Sequence, residues 1–209
     1  MPGIHDYALF VASCVLLNVM PGQDTLYILG RSIGEGRRIG VASALGVSAG
    51  SVVHTFAAAL GLSAIIATSA TAFVAVKLLG AAYLIYLGIR ALTTRVVSGV
   101  TLNAPGSPGA AAAFRQGLVT NVLNPKVALF FLAFLPQFID VESSSKVIPF
   151  MLLGLTFVAT GTVWCIVLAV AAAGVRGFFI RYPSAQAWLT RTTGGLFMFL
   201  GVRLALSER

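Results

Sequence analysis

Residues Gly117 to Phe138, GLVTNVLNPKVALFFLAFLPQF, form an apolar run approaching the length that crosses a bilayer, with Asn-Pro-Lys set near its front end. A proline inside a helix removes a backbone donor and clashes with the preceding turn. A lysine at the centre of the hydrocarbon costs about 2.5–3.5 kcal/mol on insertion scales, and less towards an interface. Backbone groups freed at membrane depth must be satisfied by protein or by a water-lined cavity. Two readings fit this stretch. It is the interfacial start of a helix with Lys126 snorkelling to headgroups, or one half of a solute-binding site inside the membrane, and the second is the working expectation.

Composition sets the class. Of the 209 residues 58% are hydrophobic and 10% charged, against about 25% charged in an ordinary soluble domain, so an all-α polytopic membrane protein is expected. The net charge of +8 would otherwise suggest a nucleic-acid partner. Here the basic residues lie in short connections between apolar runs, as the positive-inside rule produces. The bilayer is the expected partner, and nucleic acid is not. Cys14 and Cys165 lie inside apolar runs without metal-ligand spacing, so they read as small packing residues, and no metal or cofactor is expected. The N-terminus lacks a basic region and a small-residue cleavage site, so its first hydrophobic segment reads as a retained span.

Six spans are expected: Tyr7 to Leu29, Gly40 to Thr68, Ala70 to Leu92, the Gly117 stretch, Val147 to Val175 and Ala187 to Leu206. Basic residues crowd the segment 30–39 (Arg31, Arg37, Arg38 against Glu35), the fourth-span side (Arg90, Arg95, Arg115) and the sixth-span approach (Arg176, Arg181, Arg191). Asp6, Asp140 and Glu142 fall on the opposite side, which places both termini outside. Residues 93–113, polar and then small, read as a linker.

A repeat is visible across that linker. Aligning Gly88 with Gly201 superimposes Arg90 on Arg203 and Tyr86 on Phe199, and the proline breaks at Pro21 and Pro125 also correspond. The chain therefore reads as residues 1–92 and 114–209, two three-helix halves joined by 93–113. Three spans per half make the second half inverted. Inverted repeats with broken helices at matching positions point to a transporter site near the midplane.

Each break carries a charge. Pro21-Gly22-Gln23-Asp24-Thr25 supplies a carboxylate suited to a substrate ammonium or a proton. Asn121, Asn124, Pro125 and Lys126 supply amides, an ammonium and a helix N-terminus, which suit a carboxylate. An acid and a base together match a zwitterion such as an amino acid; a purely structural Asp24–Lys126 ion pair is the alternative. In the second span Gly46, Gly50 and His54 share a helix face, and His54 is either a packing residue or, with Asp24, part of a proton relay. The segment GVSAG at 46–50 matches a hydrolase motif only in letters, since it lies inside an apolar helix rather than at a strand-to-helix elbow. No enzyme is expected. Lys77 reads as snorkelling outward, with a vestibule role as its other assignment. Tyr83, Tyr86 and Trp164 read as packing residues or interface anchors.

With PGQDT at 21–25, KLLGAAYLIYLGIRAL at 77–92 and NVLNPKVALFFLAFLPQF at 121–138, the sequence resembles the LysE/RhtB family of bacterial amino-acid exporters over nearly its whole length. Gln23 stands where that family commonly has proline, and the run ending in Val53-His54 is similar to the RhtB side. The resemblance implies an inner-membrane exporter of small amino acids or derivatives, of homoserine, threonine or branched-chain type, driven by the proton motive force. On that reading Lys126 and the Asn121 and Asn124 amides take the carboxylate and Asp24 takes the ammonium or the proton. The competing classes are a thiol redox carrier through Cys14 and Cys165 and a passive solute channel. The small-residue faces serve helix packing within one subunit or a homodimer.

Overall fold

The computed structural model describes residues 3–62, 109–140 and 146–172, together with single residues scattered through 71–93 and 184–206. Among the described residues helix is the regular structure, and the one bridge joins Ile4 to Ile139 antiparallel. Six α-helices are described: α1 (Tyr7–Val19), α2 (Gln23–Glu35), α3 (Arg37–Ala57), α4 (Gly109–Val122), α5 (Pro125–Leu129) and α6 (Val147–Val170). A π-turn, Ala58–Leu62, prolongs α3. After α5 the chain widens into a π-turn at Phe130–Phe134 and tightens into a 3₁₀ turn at Leu135–Phe138. Pro136 sits at the join and cannot donate to the ladder, a local reason for the change of winding.

The proline breaks are bends. α1 and α2 meet at 50°, and α4 meets at 47° the wound segment Pro125–Phe138 that α5 opens, each across a short break. Arg37–Gly61 and Val147–Val170 are each long and apolar enough to cross a membrane, and the described residues hold up to four spans if each bent pair is one. Large apolar side chains on the outer faces, such as Phe56, Leu155 and Val163, are exposed, an arrangement that suits lipid.

Several expected boundaries move. The polar segment 30–39 is the last turn of α2, a single connecting residue and the first turn of α3, because Gly36 takes φ +89°, a left-handed conformation costly for other residues. α4 begins at Gly109, inside the stretch expected as linker, since the alanines of GAAAAF favour helix. α6 ends at Val170 rather than near Val175. Most of the third and sixth spans and of the linker, and the aligned Gly88, Arg90, Gly201 and Arg203, lie outside the described residues, as do Lys77 and Tyr83.

The α3–α4 seam is closely packed. A Cβ on Gly46 would stand 2.0 Å from the Phe114 carbonyl oxygen, one on Gly50 2.7 Å from Asn121 Cβ, and one on Gly117 2.5 Å from the Ser43 oxygen. The backbones touch where side chains are missing, the means by which membrane helices gain dispersion contact. α6 closes on α3 in the same way, with Gly154 against Thr55. An aromatic layer of Phe10, Phe130, Phe131, Phe134, Phe138 and Phe157 is almost wholly buried between α1, the wound segment after α5, and α6. Ring centroids there lie as close as 4.8 Å.

Candidate functional site

At the first break, Gly22 is extended (φ −154°, ψ −168°) and α2 starts at Gln23, so Asp24 stands in its first turn, where the helix dipole favours a negative charge. At the second, the Asn124 side chain accepts from the Lys126 backbone N–H at 3.0 Å and caps α5, with Pro125 in the first turn. This is a standard helix start, and it sets Lys126 one residue past the proline.

Each break is completed by the other. Asp24 Oδ2 accepts from Asn121 Nδ2 at 2.8 Å and from Asn124 Nδ2 at 3.0 Å. Lys126 Nζ donates to the carbonyls of Leu17 and Met20, both at 3.2 Å. Those carbonyls belong to the end of α1, where the break leaves oxygens without helical donors. Gly22 makes room: a Cβ there would lie 3.1 Å from Lys126 Nζ. Asp24 and Lys126 form no direct ion pair. The Asn121 and Asn124 amides, expected to face a substrate carboxylate, here hold Asp24.

Asn121 is the hub. Buried at 1% exposure, it binds Asp24 through its amide, accepts from Ser51 Oγ at 3.2 Å, and through its backbone carbonyl meets His54 Nε2 at 3.1 Å. A carbonyl only accepts, so Nε2 carries the hydrogen of that bond. His54 also stacks on Phe131, centroids 5.6 Å apart. The structure thus joins His54 to Asp24 through Asn121 and gives them no direct contact. Ser48 donates to the Ala44 carbonyl, an ordinary back-bond within α3. Cys14 and Cys165 are free, buried and in separate core clusters.

A cavity of about 30 Å³ lies where the breaks meet α3 and α6, with Asp24, Lys126 and Asn121 on one side and Trp164 and Cys165 on another. It has room for water but not for an amino acid. Asp24 Oδ1 and Trp164 Nε1 are both buried without a hydrogen-bond partner among the described residues. Ser51, the Leu17 and Met20 carbonyls and Trp164 are absent from the sequence-derived site. Ser51 sits one turn before His54 on the same face, a usable signal; the carbonyls and Trp164 leave none.

Towards the end of the molecule that carries the α2–α3 turn, Arg31 bonds both Glu35 and Gln116, and its guanidinium lies over the Tyr27 ring at 5.7 Å. Tyr27 Oη donates to the Ala113 carbonyl at 2.7 Å. The site is therefore bracketed by an α2–α4 polar seam on one side and the aromatic layer on the other.

These features define a helical membrane protein built on two bent helix pairs whose breaks interlock. The LysE type translocator family matches residues 15–208, and the chain belongs to it; it is a transporter rather than an enzyme. It is 30% identical over 98% of both chains to an uncharacterized membrane protein of Vibrio cholerae. It is also 30% identical to a leucine efflux protein of Enterobacter sp., over 97% of this chain and 94% of that one. A leucine efflux protein of Salmonella typhimurium is 29% identical over 97% and 96% of the two chains. No solved structure matches it.

Proposed function

We propose that this protein exports small amino acids of the aliphatic or hydroxylated type, such as leucine, threonine or homoserine, from the cytoplasm across the bacterial inner membrane in exchange for protons. The observation that carries the reading is the reciprocal satisfaction of the two breaks: the first supplies an acid held by the second, and the second a base held by the first. A charge pair so held, beside a cavity, suits both ends of a zwitterion. The names of the leucine efflux relatives support an amino acid as the solute.

On this reading the substrate ammonium binds Asp24 Oδ1, the oxygen that the asparagines leave free, while Lys126 attracts the carboxylate. A proton and an ammonium compete for that one oxygen. Occupation by one at a time is what exchange requires, and so a pH gradient drives export. Residues 1–92 and 114–209 act as inverted halves of a six-span unit that rock about the site, with both termini outside. His54 tunes the Asn121 hub.

The test is uptake of labelled amino acids into inverted membrane vesicles with and without an imposed pH gradient. Gradient-dependent accumulation that Asp24→Asn abolishes is the expected result. Accumulation indifferent to the gradient would replace the exchanger with a channel, and accumulation of no amino acid would sink the reading.

A further inference from the structure

The cavity wall on α6 holds a polar atom that the reciprocal hydrogen bonds of the two breaks leave unused. Trp164 Nε1 is buried and unpartnered, and its residue lines the same cavity as Asp24, whose Oδ1 is also buried and unpartnered. An indole N–H only donates and an ionised carboxylate oxygen only accepts. Leaving either unmatched in a buried site is unfavourable, so two such atoms in one small cavity mark a place shaped for something absent from the bare protein. One donor and one acceptor match a ligand with an acceptor at one end and a donor at the other. The apolar part of the remaining lining, Leu17, Val47, Val127, Phe157 and Val158, provides for an aliphatic side chain.

We propose that Trp164 is a substrate-binding residue, its indole N–H donating to the carboxylate of the transported amino acid while Asp24 takes the ammonium. The inference rests on the export reading and adds to it a residue on the helix opposite the breaks. It also assigns α6 a moving part. The cavity of about 30 Å³ must widen to admit an amino acid, and Trp164 leaves or joins Asp24 as α6, moving with the second half, separates from or closes on the first break. Gly161, one turn before Trp164, faces Asn18 with 3.2 Å between a notional Cβ and Asn18 Oδ1, and at that level Asn18 Nδ2 donates to Thr160 Oγ1 at 3.2 Å, a bond between α1 and α6 that a separation must break.

The experiment uses the full chain reconstituted in lipid vesicles. The probes are the best-transported member of an amino-acid panel that includes L-leucine, and the amine left when that same amino acid loses its carboxyl group, which keeps the ammonium and the side chain and offers the indole no acceptor. Trp164→Phe keeps an aromatic ring and removes the N–H. It is expected to raise the KM for the amino acid about fivefold to thirtyfold, to leave the maximal rate within about twofold, and to leave inhibition by the decarboxylated amine unchanged. An unchanged KM, or an equal loss for both probes, overturns the inference, the second because it would mark a packing role. If the variant does not fold, the native indole is read instead. Trp188 is exposed and distant in sequence, so in a Trp188→Phe protein the fluorescence comes from Trp164 alone. It should respond to the amino acid and not to the decarboxylated amine, and absence of that difference overturns the assignment. Wild-type protein that moves no amino acid sinks the export reading and this inference with it. Wild-type transport with an indifferent Trp164 sinks this inference alone.

Discussion

Lys126 shows how tightly a single charge is fitted here. Its ammonium takes two carbonyls at the end of α1 and is flanked by the missing side chain of Gly22. Arginine keeps the charge but brings a planar fork that needs more room and a different donor geometry. Lys126→Arg is therefore expected to lose transport about as fully as Lys126→Met, tenfold or more, with protein still present in the membrane; vesicle uptake normalised to protein by immunoblot checks this. Gln23 makes the opposite case. It is the first residue of α2, after an extended Gly22, a position whose N–H has no helical acceptor and which suits proline. Gln23→Pro should be tolerated and raise stability by about 0.4–1 kcal/mol, read as a higher melting temperature in detergent. The breaks themselves were legible because Pro21, Gly22, Asn124 and Pro125 act on their own neighbours. The interlock was not, because Asp24 meets amides 97 and 100 residues away and no local pattern distinguishes an asparagine that binds solute from one that binds an aspartate. Trp164 was still less legible, since a tryptophan in an apolar run looks the same whether its N–H faces lipid, protein or a site.

At the scale of elements, the seam between α3 and α4 positions the hub. The face of Gly46, Gly50 and His54 was readable from spacing alone, and the structure turns it onto α4, where Gly50 meets Asn121 and His54 reaches its carbonyl. Gly50→Ala would press a methyl against Asn121 Cβ and Oδ1, both at 2.7 Å, with the Leu118 carbonyl at 2.9 Å. Backbone and a hydrogen-bonded side chain cannot yield as a free side-chain end does. Overpacking of this kind costs about 1–3 kcal/mol, and here it also displaces the amide that holds Asp24. Gly50→Ala should lower thermal stability and abolish transport together. Gly61→Ala, with open space around it, should change neither. Thermal unfolding followed by size-exclusion chromatography, run beside vesicle uptake, separates the two. The winding of the chain after α5 was less readable. Pro136 announces a defect, but whether it becomes a kink or a π-turn depends on the packing of Phe130, Phe131 and Phe134, which the sequence presents only as a hydrophobic run.

For the whole molecule, the charges sort by end in a way that tests orientation. The bond from Arg31 to Gln116 brings the start of α4 beside the α2–α3 turn, so Arg31, Arg37, Arg38 and Arg115 gather at one end. The other end has the Ile4–Ile139 bridge, and there His5 meets Asp140 at 2.9 Å. Long-range pairing has thus grouped residues that the sequence could only assign to alternating loops, and the basic group is the one expected to remain in the cytoplasm. On that expected orientation the Tyr27–Ala113 and Arg31–Gln116 contacts would close the inner approach to the site and the phenylalanine layer the outer one. With Cys14 and Cys165 replaced by serine, a cysteine at Arg38 should react with a membrane-impermeant maleimide only after permeabilisation, and one at Glu142 should react in intact cells. The reverse pattern would invert the protein in the membrane and exchange the two closures. The same serine background with Cys165 restored then reports on alternation, because that thiol lines the cavity with Asp24 and Lys126. A membrane-permeant maleimide should reach it slowly, and saturating substrate should slow it further, by about threefold or more. Labelling that ignores every transported amino acid would place the substrate elsewhere than between the two breaks.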